Sequence, residues 1–274
     1  MFSEWACTVV MKKPKKRFSQ NFLVDHGLAD RIVAELDIGE NDVVFEIGGG
    51  RGILSVLLAP AATRLFVFEL DRDLVDHLQS LLTGHDNVTV VEADFLKVDP
   101  DDYHDGPFRV IGNIPYDITS PLIEWIMLYY HRITRAVITT QRELAERLSS
   151  EPGGKQWAPI AVFSNCFFTV RKVMDIYPES FYPRPGVMSS TLVFEPKKTV
   201  IVENRTLFEK IVRMAFAQRR KLLTNNLSRL NGLDKKDLEK IVSDIGLDKT
   251  TRAEQVSLDD FIELTRKIEA LGIS

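Results

Sequence analysis

Cysteine is scarce in this chain. Cys7 and Cys166 are its only two among 274 residues, which excludes a disulfide framework and any cysteine-based metal-ligand spacing. That scarcity points to a reducing compartment, the cytoplasm. Long apolar runs are lacking as well, since no stretch approaches the ~18 uninterrupted apolar residues of a membrane span. Positive charge is not in excess. A net charge of −4 and a pI near 5.8 exclude a uniformly basic nucleic-acid coat, although local basic patches can still bind. The five histidines, His26, His77, His85, His104 and His131, do not cluster. No metal site is therefore expected, and no nucleophile with a histidine base stands out. The Gly-x-Gly-x-x-Gly spacing of dinucleotide-binding folds is missing too, because position 53 is Ile.

What remains is a globular composition, 45% hydrophobic and 27% charged, on a chain long enough for one large domain and one small one. Two short basic clusters interrupt it. One is Lys12-Lys13-Pro14-Lys15-Lys16-Arg17; the other is Gln218-Arg219-Arg220-Lys221, with Arg213 and Arg229 nearby. Lys15, Lys16, Arg17, Arg219, Arg220 and Lys221 are the candidate phosphate contacts; such runs are otherwise solvated surface. Residues 1–10 are mildly apolar and precede the basic run, the reverse of a secretory signal. Residues 1–17 read as a basic N-terminal extension.

From about residue 26 the pattern is regular. A helix is expected over 26–36. Short apolar runs then alternate with amphipathic ones: strands at Val43–Ile47, Leu65–Phe68, Val88–Val91, Phe108–Ile111 and Ala136–Thr139, helices over 52–59, 72–82 and 120–130. Strands rich in Val, Ile and Phe, alternating with helices, predict a doubly wound α/β fold with a parallel sheet. Two longer strands, Phe167–Ile176 and Val187–Phe194, follow a loop at Glu151-Pro152-Gly153-Gly154. With no helix between them they should be antiparallel and extend one sheet edge. Beyond Lys198 the chain reads all-helical, over 205–217, 219–230, 234–244 and 257–270. The domains expected are 18–198 and 199–274.

Chemistry-bearing residues gather at the predicted strand ends. Glu46-Ile47-Gly48-Gly49-Gly50-Arg51-Gly52 follows the first strand of the sheet. Its glycines allow a ligand close to the backbone, and Glu46 suits a positively charged ligand better than a pyrophosphate. S-adenosylmethionine carries a sulfonium and an ammonium. Glu69 ends the next strand, where an acid commonly accepts ribose hydroxyls. Asp94 follows the third strand, placed to take an adenine amine or to cap a loop. Asn113-Ile114-Pro115-Tyr116 ends the fourth. The Asn113 carboxamide oxygen and the Ile114 carbonyl can each accept one hydrogen of a nucleobase amine, drawing its delocalised lone pair outward. Tyr116 offers an aromatic face to a base taken out of its stack. Otherwise the four residues are an Asn-initiated turn with a proline.

With these residues in place, the chain resembles the ribosomal RNA adenine dimethyltransferases, from about Lys15 to Ile268. The nearest group is the KsgA type, and the Erm resistance enzymes are cousins. Arg17-Phe18-Ser19-Gln20-Asn21-Phe22-Leu23 matches the N-terminal motif of the family, in which Asn21 and Leu23 correspond to cofactor contacts. Gly48, Glu69, Asp94 and Asn113 match the others. Asn113 to Tyr116 matches the catalytic motif. Phe181-Tyr182-Pro183-Arg184-Pro185 matches a Phe-x-Pro-x-Pro segment whose Phe181 lies near the target base; its alternative is a strand-edge turn. Ala215 to Lys221 and Arg252-Ala253-Glu254-Gln255 are similar to the helical domain of the KsgA type, which helps dock the ribosomal particle. Asp117 and Ser19 depart from the KsgA pattern, and Ser19 is similar to Erm sequences.

The resemblance implies a Rossmann-like class I methyltransferase sheet, mostly parallel with an antiparallel edge, and a small all-α C-terminal domain. It implies S-adenosyl-L-methionine as cofactor and dimethylation of adenosines, two adjacent ones, in small-subunit ribosomal RNA. The partner expected is that RNA within a small-subunit assembly particle; the expected state is a cytoplasmic monomer, away from membranes. Erm-like methylation of large-subunit RNA and a non-catalytic assembly or transcription factor on the same fold are the alternatives.

Overall fold

The structure, a computed structural model, describes residues 20–198 and 202–273. Cys7, Lys15, Lys16, Arg17 and Ser19 lie outside them.

A two-residue strand, β1 (Phe22–Leu23), precedes α1 (His26–Ala34). Asp25 caps that helix, its Oδ1 accepting the Leu28 N–H at 3.0 Å. The alternating segment follows as β2 (Val43–Ile47), α2 (Ser55–Leu58), β3 (Arg64–Glu69), α3 (Arg72–Leu81), β4 (Val88–Glu92), β5 (Phe108–Asn113), α4 (Thr119–Leu128) and β6 (Ile133–Gln141). Then come α5 (Arg142–Leu148), α6 (Pro159–Phe167), β7 (Phe168–Ile176), a second two-residue strand β8 (Phe181–Tyr182) and β9 (Ser189–Pro196). The rest is helical: α7 (Arg205–Ala215), α8 (Leu223–Leu227), α9 (Lys235–Asp244) and α10 (Leu258–Glu269).

The main sheet has seven strands in the order β4-β3-β2-β5-β6-β9-β7. Its first five are parallel; β9 and β7 run antiparallel and close one edge. Strand order reverses between β2 and β5. In such sheets a crevice opens there, at the carboxyl ends of the strands.

Alternation along each strand builds a core on either face. Val44, Leu65, Val67, Ile111, Val137 and Val193 point to the face covered by α1, α2 and α3. Phe45, Phe66, Phe68, Val110, Ala136 and Phe194 point to the other. There Phe45 stacks on Phe108 with ring centroids 4.3 Å apart. The second core continues without a break through Trp125 and Phe163 into Leu207, Phe208, Val212 and Phe261 of the C-terminal helices. The C-terminal helices thus share a core with the sheet.

Local chemistry explains where sequence and structure differ. The helix expected over 52–59 shortens to Ser55–Leu58, because Gly52 turns at a φ of +82° and the chain leaves the glycines through turns. The helix expected over 219–230 shortens to α8. Leu223 N–H is drawn off to the Thr251 carbonyl at 2.8 Å, and the Asn226 amide ties the Ala215 and Gln218 carbonyls at 2.6 and 3.1 Å. Helices α5 and α6 were not foreseen. The apolar run 159–168 hid a helix, with Pro159 at its first position, that hands over to a strand at Phe168. Phe167 accordingly ends α6 and is no part of the strand. The β1–β8 pair was not foreseen either, since its partners lie far apart in sequence.

Candidate active site

A cavity of about 410 Å³ opens at the carboxyl ends of β2, β3 and β5. Its lining brings together Asn21, Leu23, Gly48, Glu69, Asp94, Asn113, Ile114, Pro115, Tyr116 and Phe181, contributed by six separate stretches of chain.

The glycine turn is part of its lining. Gly48 sits at a φ of +69° with open space where a Cβ would stand, leaving bare backbone towards a ligand. Gly49 is required for packing: a Cβ there would fall 2.4 Å from Val67 Cγ1. Glu46 is buried on the cavity wall, and its Oε2 has no hydrogen-bond partner. Burial pushes its carboxyl up to about 8; the nearby Ser55 hydroxyl opposes this and the charge of Glu69 adds to it. An orphaned acid of this kind fits a cationic ligand group, which would give the ionised form its missing partner.

Glu69 is occupied on the protein side. Its Oε2 accepts the Gly50 N–H, and its Oε1 accepts the Leu70 and Asp71 N–H groups, all at 2.9 Å. These bonds weld β3 to the glycine turn and hold the carboxylate in place. Burial still raises its pKa against them. Asp94 Oδ1 accepts from Leu96 N–H at 3.2 Å, capping a 3-10 turn, and its Oδ2 lies 3.3 Å from Lys97 Nζ. Asp94 therefore acts as a loop cap and also lines the cavity.

Asn113 closes β5. Its Nδ2 donates to the Asn21 carbonyl at 3.0 Å, which ties the N-terminal segment to the sheet and fixes the amide orientation. The carboxamide oxygen is left as an acceptor. The Ile114 N–H bonds the Thr139 carbonyl at 3.0 Å, and its side chain is buried. Tyr116 is anchored by its hydroxyl to Ser189 Oγ at 2.9 Å. Gly112 was missed in the sequence. A Cβ there would meet the Ile47 carbonyl oxygen at 2.7 Å, so only glycine lets β2 and β5 converge beside Asn113. The signal was a glycine immediately before the motif.

Phe181 is buried and lines the cavity, held in β8 against β1 with Leu23 opposite.

Comparison with known proteins identifies the family. The family model for ribosomal RNA adenine dimethylase covers residues 11–270. The chain belongs to that family. It is 39% identical to the ribosomal RNA small subunit methyltransferase A of Syntrophotalea carbinolica, covering 94% of this chain and 97% of the relative. It is 35% identical to the protein of the same name from Bacillus mycoides, covering 93% and 91%. Among solved structures, a dimethyladenosine transferase from Plasmodium falciparum superposes with a TM-score of 0.82 at 25% identity over 92% of this chain and 98% of that one. The 23S rRNA methyltransferase ErmE gives 0.75 at 26% identity, covering 91% and 100%.

For an adenine dimethylase, the C-terminal basic cluster divides in two. Arg219 donates to the Lys155 carbonyl at 2.5 Å and lies 3.7 Å from Glu254. It braces the helical region against the loop after α5. Arg220 and Lys221 project into solvent on the turn before α8. The 252–255 motif also has an internal task. The Glu254 carbonyl accepts the Gly153 N–H at 2.6 Å, and the neighbouring Val256 carbonyl accepts Trp157 Nε1–H at 3.0 Å. Among the described residues, no group of three or more His, Cys, Asp or Glu is placed to hold a metal, and no helix is long and apolar enough to cross a membrane. Cys166 is buried with its thiol pushed up to about 12, too high for a nucleophile.

Proposed function

We infer that this dimethylase methylates the exocyclic amine of adenosines in small-subunit ribosomal RNA, with S-adenosylmethionine as donor. Its relatives carry small-subunit ribosomal RNA in their names, and the family model carries adenine. Asn113 and the Ile114 carbonyl act on the amine. The observation that carries this reading is one cavity lined both by Asn113 and the Ile114 turn and by the glycine turn and Glu46, at the ends of two neighbouring strands.

Bound S-adenosylmethionine supplies an electrophilic methyl carbon on its sulfonium. Glu46, Glu69, Asp94 and the Gly48 backbone form the cofactor side, with Asn21 and Leu23 closing it. On the other side the Asn113 oxygen and the Ile114 carbonyl each accept an amine hydrogen. This orients the nitrogen and localises its lone pair for attack. Pro115 fixes the turn that follows them, and Tyr116 and Phe181 hold the flipped ring by stacking. The methylated nitrogen sheds a proton to water, so no buried base is required. On the second transfer one hydrogen remains, and one of the two acceptors suffices.

Lys15, Lys16, Arg17, Arg220 and Lys221 contact phosphates, and Arg219 reaches them through the turn it braces. The physiological substrate is a small-subunit assembly particle, met by a cytoplasmic monomer built of a methyltransferase unit, 18–198, and a helical docking unit, 199–274.

The test is transfer of labelled methyl groups to small-subunit and large-subunit particles, with the modified nucleoside identified by mass spectrometry. Dimethyladenosine in small-subunit RNA is expected. Label confined to large-subunit RNA would indicate the Erm-like activity. Donor binding without transfer to either would indicate a non-catalytic factor.

A further inference from the structure

Strand β8 presents two aromatic residues to different surroundings. Phe181 lines the cavity, whereas Tyr182 is 50% exposed. Tyr182 is paired across the β1–β8 ladder with Phe22, and the Arg51 guanidinium lies against both rings. Its carbon is 4.6 Å from the Phe22 centroid and 5.4 Å from that of Tyr182. Phe22 and Arg51 both line the cavity. The cation thus bridges a buried ring and a half-exposed one at the edge of the site.

Such a stack holds the tyrosine ring at little entropic cost and leaves its outer face to solvent. The residues that follow keep this surface open: Pro183, Arg184, Gly186 and Val187 are all exposed. Arg184 is ion-paired with Glu179, and Tyr177, close by in sequence, is 66% exposed. A flat, supported aromatic face beside a cavity for a flipped base suits a second, unstacked base.

We propose that Tyr182, backed by Arg51, is a stacking platform for the nucleotide adjacent to the target adenosine. Flipping one base breaks its stacking with a neighbour; the Tyr182 face replaces that lost partner and holds the RNA strand in register with the cavity. Every base has a π-face, so the platform tolerates any base at that position. The proposal rests on the RNA-methylating reading above.

The experiment measures methylation of a minimal RNA substrate by the full-length protein, its Tyr182→Ala variant and its Tyr182→Phe variant. It uses normal RNA and RNAs carrying an abasic site on either side of the target. Tyr182→Ala is expected to raise the KM for RNA about tenfold, with donor affinity by calorimetry unchanged. Tyr182→Phe should restore the wild-type value, because the stack needs the ring and not the hydroxyl. One of the two abasic RNAs should weaken wild-type binding by a similar factor and have no further effect on Tyr182→Ala, the non-additivity expected of direct partners. An unchanged RNA KM in Tyr182→Ala, or full additivity with both abasic RNAs, overturns the platform while wild-type methylation still stands. Absence of methylation by the wild-type protein would instead strike the function itself.

Discussion

The two sides of the cavity are built differently. The proposed cofactor side is made of consecutive strand ends, and its geometry is set by backbone: the glycine turn and three N–H groups on Glu69, with the buried acid Glu46 beside them. The proposed base side is assembled from distant segments. Asn113 leans on the Asn21 carbonyl, Tyr116 on Ser189, and Phe181 is held through a two-residue strand. On the first side, a change in chain conformation should do the damage. On the second, it should be the loss of a particular side chain.

The largest effect should come from the base side. Asn113→Ala should lower single-turnover methylation by about 10²- to 10³-fold, the range for removing one preorganised polar contact to the reacting group. Donor affinity should change by only a few-fold. Near-normal turnover would break the contrast, because Asn113 would then be a structural tie only.

Glu46→Gln probes the opposite side. The folded carboxyl titrates near 8 against an ordinary 4.5, so the free protein binds an extra proton between those values. Its stability should therefore fall as pH rises from about 5 to 8 and level off above, by on the order of a few kcal/mol. Glu46→Gln should lack that slope in thermal unfolding. It should also weaken donor binding at pH 8 about tenfold, the size of one charge-assisted contact. Parallel pH slopes in the two proteins would show that Glu46 is not the buried acid responsible.

Gly49→Ala should cost about 1–3 kcal/mol of stability in chemical denaturation, as overpacking against Val67 and Leu78 does. Gly48→Ala meets no such obstacle. It should cost about 1 kcal/mol for its positive φ and act mainly on donor affinity. Equal stability losses would remove the distinction between a packing glycine and a ligand-facing one.

The smallest effect concerns charge. Arg220→Glu with Lys221→Glu should weaken RNA binding several-fold at matched salt and flatten its salt dependence, leaving stability unaltered. Arg219→Glu should also destabilise the protein, since Arg219 holds Lys155 and Glu254. If all three reversals behaved alike, the division of the cluster would be wrong.

What could be read from the sequence follows the same divide. Val43–Ile47 and Phe108–Ile111 announced buried strands by their apolar runs, and Glu46, Glu69, Asp94 and Asn113 could be set at successive strand ends by counting. Those inferences need only local pattern and one topological rule. The strand pair that holds Phe181 joins residues about 160 positions apart, and no periodicity reports such a contact. The brace at Arg219 was hidden for a similar reason: a basic run looks the same whether its charges meet phosphate or a carbonyl of the same chain. Helix α6 was obscured because a run that is apolar but for Ser164 and Asn165 has too little polar face to reveal its period.

The most direct measurement is the structure of the protein with S-adenosylhomocysteine and an RNA bearing the target adenosine. The adenine amine nitrogen is expected about 2.7–3.2 Å from both Asn113 Oδ1 and the Ile114 carbonyl oxygen, with its ring between Tyr116 and Phe181. An amine that contacts neither oxygen, in a complex that still turns over when the missing methyl is restored, would contradict it.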